Sequence, residues 1–442
     1  MAQKINRGGE KKNRCSPTAQ PRTFRTRTTR VPPITAKIMG SDPGPVICRN
    51  DRSCWEPTRE STAMTRPKSL GRYITSYPEL NVPYLTCTSN RPPESEHAEA
   101  VVPVPSGYWS IFSVLDGRNG HSTCVWLRDN LIFAVGGALV DLYSRLHENS
   151  PAQDTPPTPS SDDIERTLKD TFKRLDRDIM HGSVDAVLSN SAGGADADAL
   201  APAHSGSSAL LSFYDSHSRT LHVALTGDSR AVLGRRTRNK DGDVVYQVQV
   251  MTVEQDGDNL AEEYRLNARH PGEAVVYNGR VVGGGPTRSF GDALYKWDSV
   301  TRGQLQQASI GKPTPSDVLT PPYLTAEPEV TSTTVQPGDF LIMGTRAMWD
   351  RLTSEEAVGL VGMWLDKGVR EQGGRRRVKP AVSPNDCLAT PLAVGIRSES
   401  YRSEDRNVAM HLLRNSMSGD IGTQADTTKN GLTATVVFFA ED

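Results

Sequence analysis

The chain has 442 residues, of which 36% are hydrophobic, and its 51 Lys and Arg residues nearly balance its 52 Asp and Glu residues. This length allows one large folded domain or two smaller ones, and the near-neutral charge argues against a surface built for nucleic acid. No run approaches the ~18 consecutive apolar residues of a membrane helix, and the N-terminus lacks the apolar core of a secretory signal. The sequence therefore predicts a soluble, intracellular protein with no nucleic-acid partner and no membrane span.

Residues 1–72 form a segment rich in Pro, Arg and Thr, with no sustained hydrophobic period. This composition predicts a disordered basic tail. Residues 1–35 carry nine Lys or Arg and a single acid, Glu10, a balance that is typical of organellar transit peptides. The same stretch has few large apolar residues with which to build an amphipathic helix, so a solvated tail is the alternative.

Residues 73–442 are predicted to form the folded domain. The apolar run at residues 107–115 indicates a strand that ends at the turn Asp116-Gly-Arg-Asn-Gly120. A helix follows through Val125 and Leu142, and the composition of residues 147–163 indicates a linker. Apolar spacings of three and four predict a second helix over residues 164–179, capped by Ser161 or Asp162.

The second half of the chain alternates strand patterns with helix patterns. Residues 189–207 are small and polar and indicate a loop. Strands are predicted at residues 209–214, 220–226, 231–235, 246–252, 330–335, 340–343 and 433–439, and helices at residues 355–365 and 408–417. We expect the first three strands to be consecutive and antiparallel, with a hairpin-like turn presenting Asp228 at the mouth of a sheet. The pattern predicts an α+β fold with sheets inside and helices outside.

Four segments occur in an order that carries a family resemblance. They are GSSALLSFYDSHSRTLHVALTGDSRAVLG (206–234), GRVVGGGPTRSFGD (279–292), PGDFLIMGTRAMWD (337–350) and LTATVVFF (432–439). Together they resemble the metal-dependent type 2C (PPM) protein Ser/Thr phosphatases. The resemblance implies an α/β/β/α sandwich of two antiparallel sheets flanked by helices.

Three further segments are similar to one branch of that family. They are HPGE (270–273), PTRSFGDALYKW (286–297) and TPPYLTAEPEV (320–330). This branch is the pyruvate-dehydrogenase-phosphatase-like one, which is mitochondrial in fungi and animals. The resemblance therefore favours a mitochondrial location, with the cytoplasm as the alternative.

The resemblance also implies a chemistry and a set of ligands. In the family, two Mg²⁺ or Mn²⁺ ions held by carboxylates activate a bridging water that attacks phosphoserine or phosphothreonine. The family's ligands for one ion fall on Glu94, Asp116 and the carbonyl of Gly117. An aspartate that helps to bind an additional ion falls on Asp228.

Other positions of the motif carry residues that differ from the family. Arg346 and Asn430 stand where two ligand aspartates belong, and Ser95 stands where an aspartate follows the ligand glutamate. Arg118 replaces the histidine that is the family's candidate general acid. Each unit charge within ~4 Å is worth about 4 kcal/mol at an effective dielectric near 20. We therefore expect at most one weakly bound Mg²⁺ or Mn²⁺.

Two of these replacements suggest new roles. Because arginine always keeps its charge, Arg346 is expected to occupy the place of the lost ion and to pair with Asp116 or Asp228. Arg118 is expected either to clamp a phosphate through two hydrogen bonds or to be a solvated loop charge.

The leading hypothesis from the sequence is a pseudophosphatase that binds a phosphoprotein or another protein partner. The alternative is an active Mg²⁺- or Mn²⁺-dependent Ser/Thr phosphatase with a rearranged or one-metal site. In that case Asp350 and Asp426 are the acidic neighbours that would complete the site.

Overall fold

A computed structural model describes most of the region that the sequence predicts to be folded. The described residues are 73–75, 84–88, 94–149, 158–189, 197–240, 242–277, 280–281, 284–308, 310, 313, 315, 318–371, 407–418 and 431–439. The predicted tail at residues 1–72, together with Asn430 and Asp426, lies outside them.

Eight of the fourteen described strands follow the predicted apolar runs, with small shifts at their ends, and the other six were not predicted. They are β1 Tyr73–Thr75, β2 Tyr84–Thr88, β3 Ser95–Val104, β4 Gly107–Arg118, β5 Gly206–Asp215, β6 Thr220–Thr226, β7 Arg230–Arg238, β8 Val244–Val250, β9 Val276–Tyr277, β10 Arg280–Val281, β11 Phe290–Gly291, β12 Glu329–Thr334, β13 Phe340–Gly344 and β14 Thr433–Phe438. The helices are α1 Ser122–Asn149, α2 Ser161–Arg177, α3 Ser183–Ser189, α4 Ala201–His204, α5 Leu260–Arg269, α6 Ser299–Gln307, α7 Arg346–Trp349, α8 Ser354–Glu371 and α9 Val408–Ser418.

Two antiparallel sheets carry the fold. Sheet I has the order β12-β6-β5-β4-β3, with β11 paired to β5, and sheet II has the order β1-β2-β14-β13-β7-β8. A buried apolar layer contains side chains from both sheets, such as Val114 and Leu210 of sheet I and Leu341 and Val437 of sheet II. The sheets therefore pack face to face, as the sequence predicted.

Helices cover the outer faces of both sheets. On sheet I, Ile111 and Leu115 of β4 join the core that α1 and α2 close, whereas Phe112 and Val114 face the other way, into the layer shared with sheet II. On sheet II, α8 and α9 supply the corresponding outer core. Because β4 is buried on both faces, its apolar run is nearly continuous rather than alternating. The α/β/β/α sandwich that the resemblance implied is confirmed.

Helix α1 shows why composition alone is ambiguous for a long core helix. Within the described part of the chain, Ser122–Glu148 is long and apolar enough to cross a bilayer by length and composition. Its fully buried residues Cys124, Leu127, Leu131, Val135 and Leu139 recur every three or four positions and pack against sheet I. This stripe is the pattern of a helix that covers a sheet.

The sequence predicted that β5, β6 and β7 pair in chain order. The pairing of β5 with β6 is confirmed, whereas the pairing of β6 with β7 is wrong. Strand β6 pairs with β5 and β12, whereas β7 pairs with β8 and β13 of the other sheet. The segment around Asp228 is thus a crossing between sheets rather than a hairpin, and Gly227 at φ +112° makes the bend. Hydrophobic alternation indicates a strand but does not say which sheet it joins.

The loop and cap predictions need smaller corrections. Residues 197–204 are helical instead of loop, because Leu200 and Ala203 bury their side chains in the core. Helix α1 continues to Asn149, inside the predicted linker. The cap of α2 is Ser160, one residue before the predicted Ser161, and its hydroxyl accepts the Asp163 N–H.

Packing around Phe340 gives a test of the core of sheet II. The Phe340 ring is fully buried and lies 4.9 Å from the ring of Tyr246. Gly234 stands opposite on β7, where a Cβ would lie 2.3 Å from the ring. Phe340→Ala is expected to lower the free energy of unfolding by about 3–5 kcal/mol, because it leaves a cavity that neighbours fill incompletely.

Chemical denaturation measures this loss, and Phe133→Ala is the matched control because Phe133 is 70% exposed. The control is expected to change the free energy by less than ~0.5 kcal/mol. Equal effects of the two variants would contradict the assigned core.

Candidate functional site

Asp116 lies near the end of β4, at one edge of sheet I. It stands opposite Ser95 on β3 and Ser208 on β5. The backbone N–H of Gly117 donates to the Glu94 carbonyl oxygen at 2.9 Å, which holds Glu94 next to Asp116. A Cβ at position 117 would lie 2.3 Å from that carbonyl oxygen, so the approach requires glycine.

Asp228 reaches the same edge from the crossing between the sheets. Its Oδ1 accepts a hydrogen bond from Ser208 Oγ at 2.8 Å. Since Ser208 is the β5 neighbour of Asp116, the two aspartates lie on either side of one serine. The predicted ligands Glu94, Asp116 and Asp228 are therefore brought together.

Arg346 follows β13 of sheet II and inserts its guanidinium among carboxylates. Its Nη1 lies 3.3 Å from Asp228 Oδ2 and 3.5 Å from Asp256 Oδ2, and its Nε lies 3.7 Å from Asp350 Oδ1. Its backbone N–H also acts on the Asp116 carboxyl, whose pKa it lowers. Of the two partners that the sequence predicted, Asp228 is the one that pairs with the Arg346 side chain.

The charges at this edge act strongly on Asp116. Burial raises the pKa of its carboxyl well above the usual range, and the neighbouring charges of Asp228 and Glu94 raise it further. The N–H and the positive charge of Arg346 oppose this rise in pKa. One fixed positive charge thus only partly offsets three converging carboxyl groups.

The donor atoms at this edge suit some of the ligand positions of the two ions that the family resemblance implies. Glu94, Asp116 and the Gly117 carbonyl are oxygen donors of the kind that Mg²⁺ and Mn²⁺ prefer, and relief of the repulsion at Asp116 would favour one cation there. Around Asp228 the space is shared with the guanidinium of Arg346. No group of three His, Cys, Asp or Glu side chains within the described ranges is arranged to hold a metal. The described residues thus offer oxygen donors for an ion beside Asp116, and the expected limit of one ion stays a prediction.

Ser95 and Arg118 occupy structural positions in this arrangement. Ser95 Oγ lies 2.7 Å from Thr433 Oγ1 and thereby links β3 to β14. Arg118 Nη2 donates to the buried Asp292 Oδ2 at 2.5 Å, and the Arg118 side chain is 22% exposed. The prediction of a solvated loop charge at Arg118 is therefore wrong, because a buried carboxylate engages it. The phosphate-clamp alternative stays a prediction.

A cleft of about 270 Å³ opens next to Arg346. It is lined by Arg230, Val253, Glu254, Asp256, Asp258, Asn259, Arg346, Trp349 and Asp350. Arg230 pairs with Glu254 and lies 5.2 Å above the Trp349 ring. Asp256 and Asp258 were not singled out from the sequence. The available signal was the acidic turn Asp256-Gly-Asp-Asn259, since such residues commonly precede a helix.

Helix α5 begins at the rim of this cleft, and a side-chain cap and buried ion pairs hold it in place. The Asn259 side chain caps it by accepting the N–H groups of Ala261 and Glu262. The buried Glu262 receives Arg288 at 2.6 Å and Arg265 at 2.8 Å. Burial raises the pKa of Glu262, but hydrogen bonds from Arg288, Arg265 and Thr287 outweigh it and lower the pKa to about 2.

The chain is similar to known proteins of one family. Residues 109–385 match the family model described as protein phosphatase 2C. The chain is 35% identical over 369 residues to a protein phosphatase 2C homolog of Schizosaccharomyces pombe, covering 80% of this chain and 79% of that protein. It is 32% identical to the mitochondrial [pyruvate dehydrogenase [acetyl-transferring]]-phosphatase 1 of Saccharomyces cerevisiae, over 75% of this chain and 61% of that protein.

The overlap is shorter for the mammalian relatives. The chain spans about half the length of the Bos taurus pyruvate dehydrogenase phosphatase 1, with 48% of that protein covered at 32% identity. A crystal structure of serine-threonine phosphatase 2C from Toxoplasma gondii aligns with 84% of this chain and 99% of its own, with a TM-score of 0.49 and 16% identity.

The Glu262 anchor predicts a pH-dependent contribution to stability. Its pKa is lower in the folded protein than the ordinary value of 4.5, so the stabilisation is complete above about pH 4.5 and is lost as the pH falls toward 2. Glu262→Gln is expected to lower the free energy of unfolding at pH 7 by on the order of 2–3 kcal/mol.

Denaturation as a function of pH checks this, with Glu263→Gln as the neighbouring control. The deficit of Glu262→Gln is expected to shrink below pH 4.5. A deficit that is constant between pH 7 and pH 3 would argue against the anchor.

Proposed function

Because the chain belongs to the protein phosphatase 2C family, we propose that it is a pseudophosphatase: a PP2C-type domain that binds a protein partner and hydrolyses phosphoserine or phosphothreonine inefficiently at best. The observation that carries this proposal is the guanidinium of Arg346, which lies within 3.3–3.7 Å of carboxylate oxygens of Asp228, Asp256 and Asp350. A permanent cation stands where the resemblance implies a ligand aspartate.

The charge of Arg346 bears directly on metal binding. Two bound Mg²⁺ or Mn²⁺ ions would supply the activated hydroxide for hydrolysis. A guanidinium repels a neighbouring dication by about 4 kcal/mol per unit charge at ~4 Å and an effective dielectric near 20. Asp228 already has its oxygens engaged by Ser208 and Arg346. These contacts favour the ion pair over a second metal.

One metal ion remains compatible with the donor set. Glu94, Asp116 and the Gly117 carbonyl would hold it, and the remaining ligands would be water. We propose that this ion binds weakly, since only two carboxylates contribute. The replacement of another ligand aspartate by Asn430 acts in the same direction.

The proposed partner is a protein, either a phosphoprotein or an unmodified one. The similarity to phosphatases named as mitochondrial and the basic composition of residues 1–35 support a mitochondrial location. The fission yeast relative carries no location in its name, and the cytoplasm is the alternative.

An active enzyme of the same family is the second candidate. It is favoured by Asp256 and Asp350, whose carboxylates lie beside Arg346. A modest movement of Arg346 toward solvent, where its side chain is already 47% exposed, would leave those carboxylates and Asp228 facing one another. The pseudophosphatase ranks first because this alternative requires breaking all three contacts of Arg346.

Restoring the two ligand positions tests the proposal. The double variant Arg346→Asp, Asn430→Asp is expected to hydrolyse a phosphothreonine peptide in Mn²⁺ at least about a thousandfold faster than the wild type. This factor corresponds to ~4 kcal/mol of transition-state stabilisation. Arg351→Asp is the control for the first substitution, since it makes the same change of charge as Arg346→Asp at an exposed neighbouring position.

Rapid Mn²⁺-dependent hydrolysis by the wild type would overturn the proposal in favour of the active enzyme. Ser95 and Arg118 still differ from the family in the double mutant. If it stays inactive, adding Ser95→Asp and Arg118→His shows whether the remaining differences block turnover.

A further inference from the structure

Helix α5 presents an apolar pair to solvent at the rim of the cleft. Leu260 is 78% exposed and Tyr264 is 77% exposed, and their spacing of four residues places them on one face of the helix. Val253, which lines the cleft, is 51% exposed. Meanwhile Glu262 and Leu266 hold the opposite face of α5 against the protein, so the exposed face is rigidly presented.

The cleft beside this pair carries an excess of negative charge. Four carboxylates and two guanidiniums line it, which leaves two formal negative charges. Arg230 is engaged by Glu254, and Arg346 by Asp228, Asp256 and Asp350. Asp258 is exposed and forms no ion pair with any described residue. A cationic group that enters the cleft therefore meets carboxylate oxygens at its rim.

The same charges disfavour an anionic ligand in this place. Asp228 lies immediately behind Arg346, and Glu94 and Asp116 lie beyond it and repel each other. A phosphate group entering the cleft would meet this field, which the single charge of Arg346 does not cancel. Charge complementarity thus favours a basic occupant over a phosphorylated one.

We propose that the surface formed by Val253, Asp258, Leu260, Tyr264 and Asp350, hereafter the α5 surface, docks an unphosphorylated basic segment of a partner protein. Arginine or lysine side chains of the segment enter the cleft toward Asp258 and Asp350, and an apolar side chain packs on Leu260 and Tyr264. An aromatic residue next to desolvated charge pairs is the usual composition of an interface anchor. The inference rests on the proposed function as a binding protein and names the class of its partner.

Binding of a labelled peptide that contains arginines and one leucine tests the inference on the whole 442-residue chain in EDTA. The matched probes are the same peptide with glutamates in place of the arginines, and its phosphoserine form. The arginine peptide is expected to bind most tightly, with an affinity that falls as salt rises. The phosphoserine form is expected to bind no better than the unmodified peptide.

Variants of the α5 surface locate the binding. Tyr264→Ser and Asp258→Lys are each expected to weaken binding about tenfold, which corresponds to ~1.4 kcal/mol. Val300→Ser on α6 and Asp141→Lys on α1 are the controls, since both positions are exposed and belong to other helices. Asp258→Lys is also expected to gain affinity for the glutamate peptide, a result that loss of folding does not produce.

Several outcomes would overturn the inference. Unchanged affinity in both α5 variants, or a preference for the phosphoserine form, would exclude this surface as the docking site for an unphosphorylated basic segment. A strong gain of affinity on removal of residues 1–72 would instead assign the surface to the chain's own basic segment. Rapid hydrolysis by the wild type, with binding still lost in the α5 variants, would contradict the pseudophosphatase while supporting the docking site.

Discussion

A guanidinium among carboxylates is the interaction on which the chemistry of this protein depends. Asp116, Asp228 and Glu94 converge at the edge of the sandwich because of strand register and one close backbone approach at Gly117. Such a cluster requires positive charge, since buried like charges repel. Arg346 supplies one fixed unit of it, from the chain itself. A charge supplied in this way cannot activate water as a metal ion does.

The fold does not depend on the carboxylates and the arginine at that edge of the sandwich. The sandwich is stabilised by three apolar layers, one between the sheets and one beneath the helices on each outer face, and burial of such layers is the dominant favourable term in folding. The anchor of α5 is likewise built from Glu262 and Arg288 rather than from the aspartates of the site. A chain of this kind can change its ligand residues and keep its architecture, so membership in the family and catalytic competence are separate questions.

Much of the architecture could be predicted from the sequence because it depends on local patterns. The apolar run of β4 and the spacing of three and four in α1 and α2 follow directly from burial on a sheet. The assignment of β7 to the second sheet could not be predicted in this way, because both of its possible neighbours bury similar side chains. The helical residues 197–204 were missed because small residues indicate loops unless a buried partner, such as Leu200, overrides them.

The part of the site that could be predicted from the sequence is the part defined by the position of residues within family motifs. Arg346 was expected beside Asp228 from the motif, and its contacts follow that expectation. Asp256 and Asp292 were not foreseen as partners of Arg346 and Arg118, because each ion pair joins segments far apart in the chain and depends on how loops return to the sheet edge. A sequence shows which residues are charged, but the folded structure determines which of them form ion pairs.

The most direct test of the account is a crystal structure of the wild-type protein grown with excess Mn²⁺, in which anomalous scattering locates each ion. We predict at most one Mn²⁺, held by Glu94, Asp116 and the Gly117 carbonyl, with the guanidinium of Arg346 still paired to Asp228. Two Mn²⁺ ions bridged by Asp116, with Arg346 displaced into solvent, would contradict the claim that arginine has taken the place of a catalytic ion.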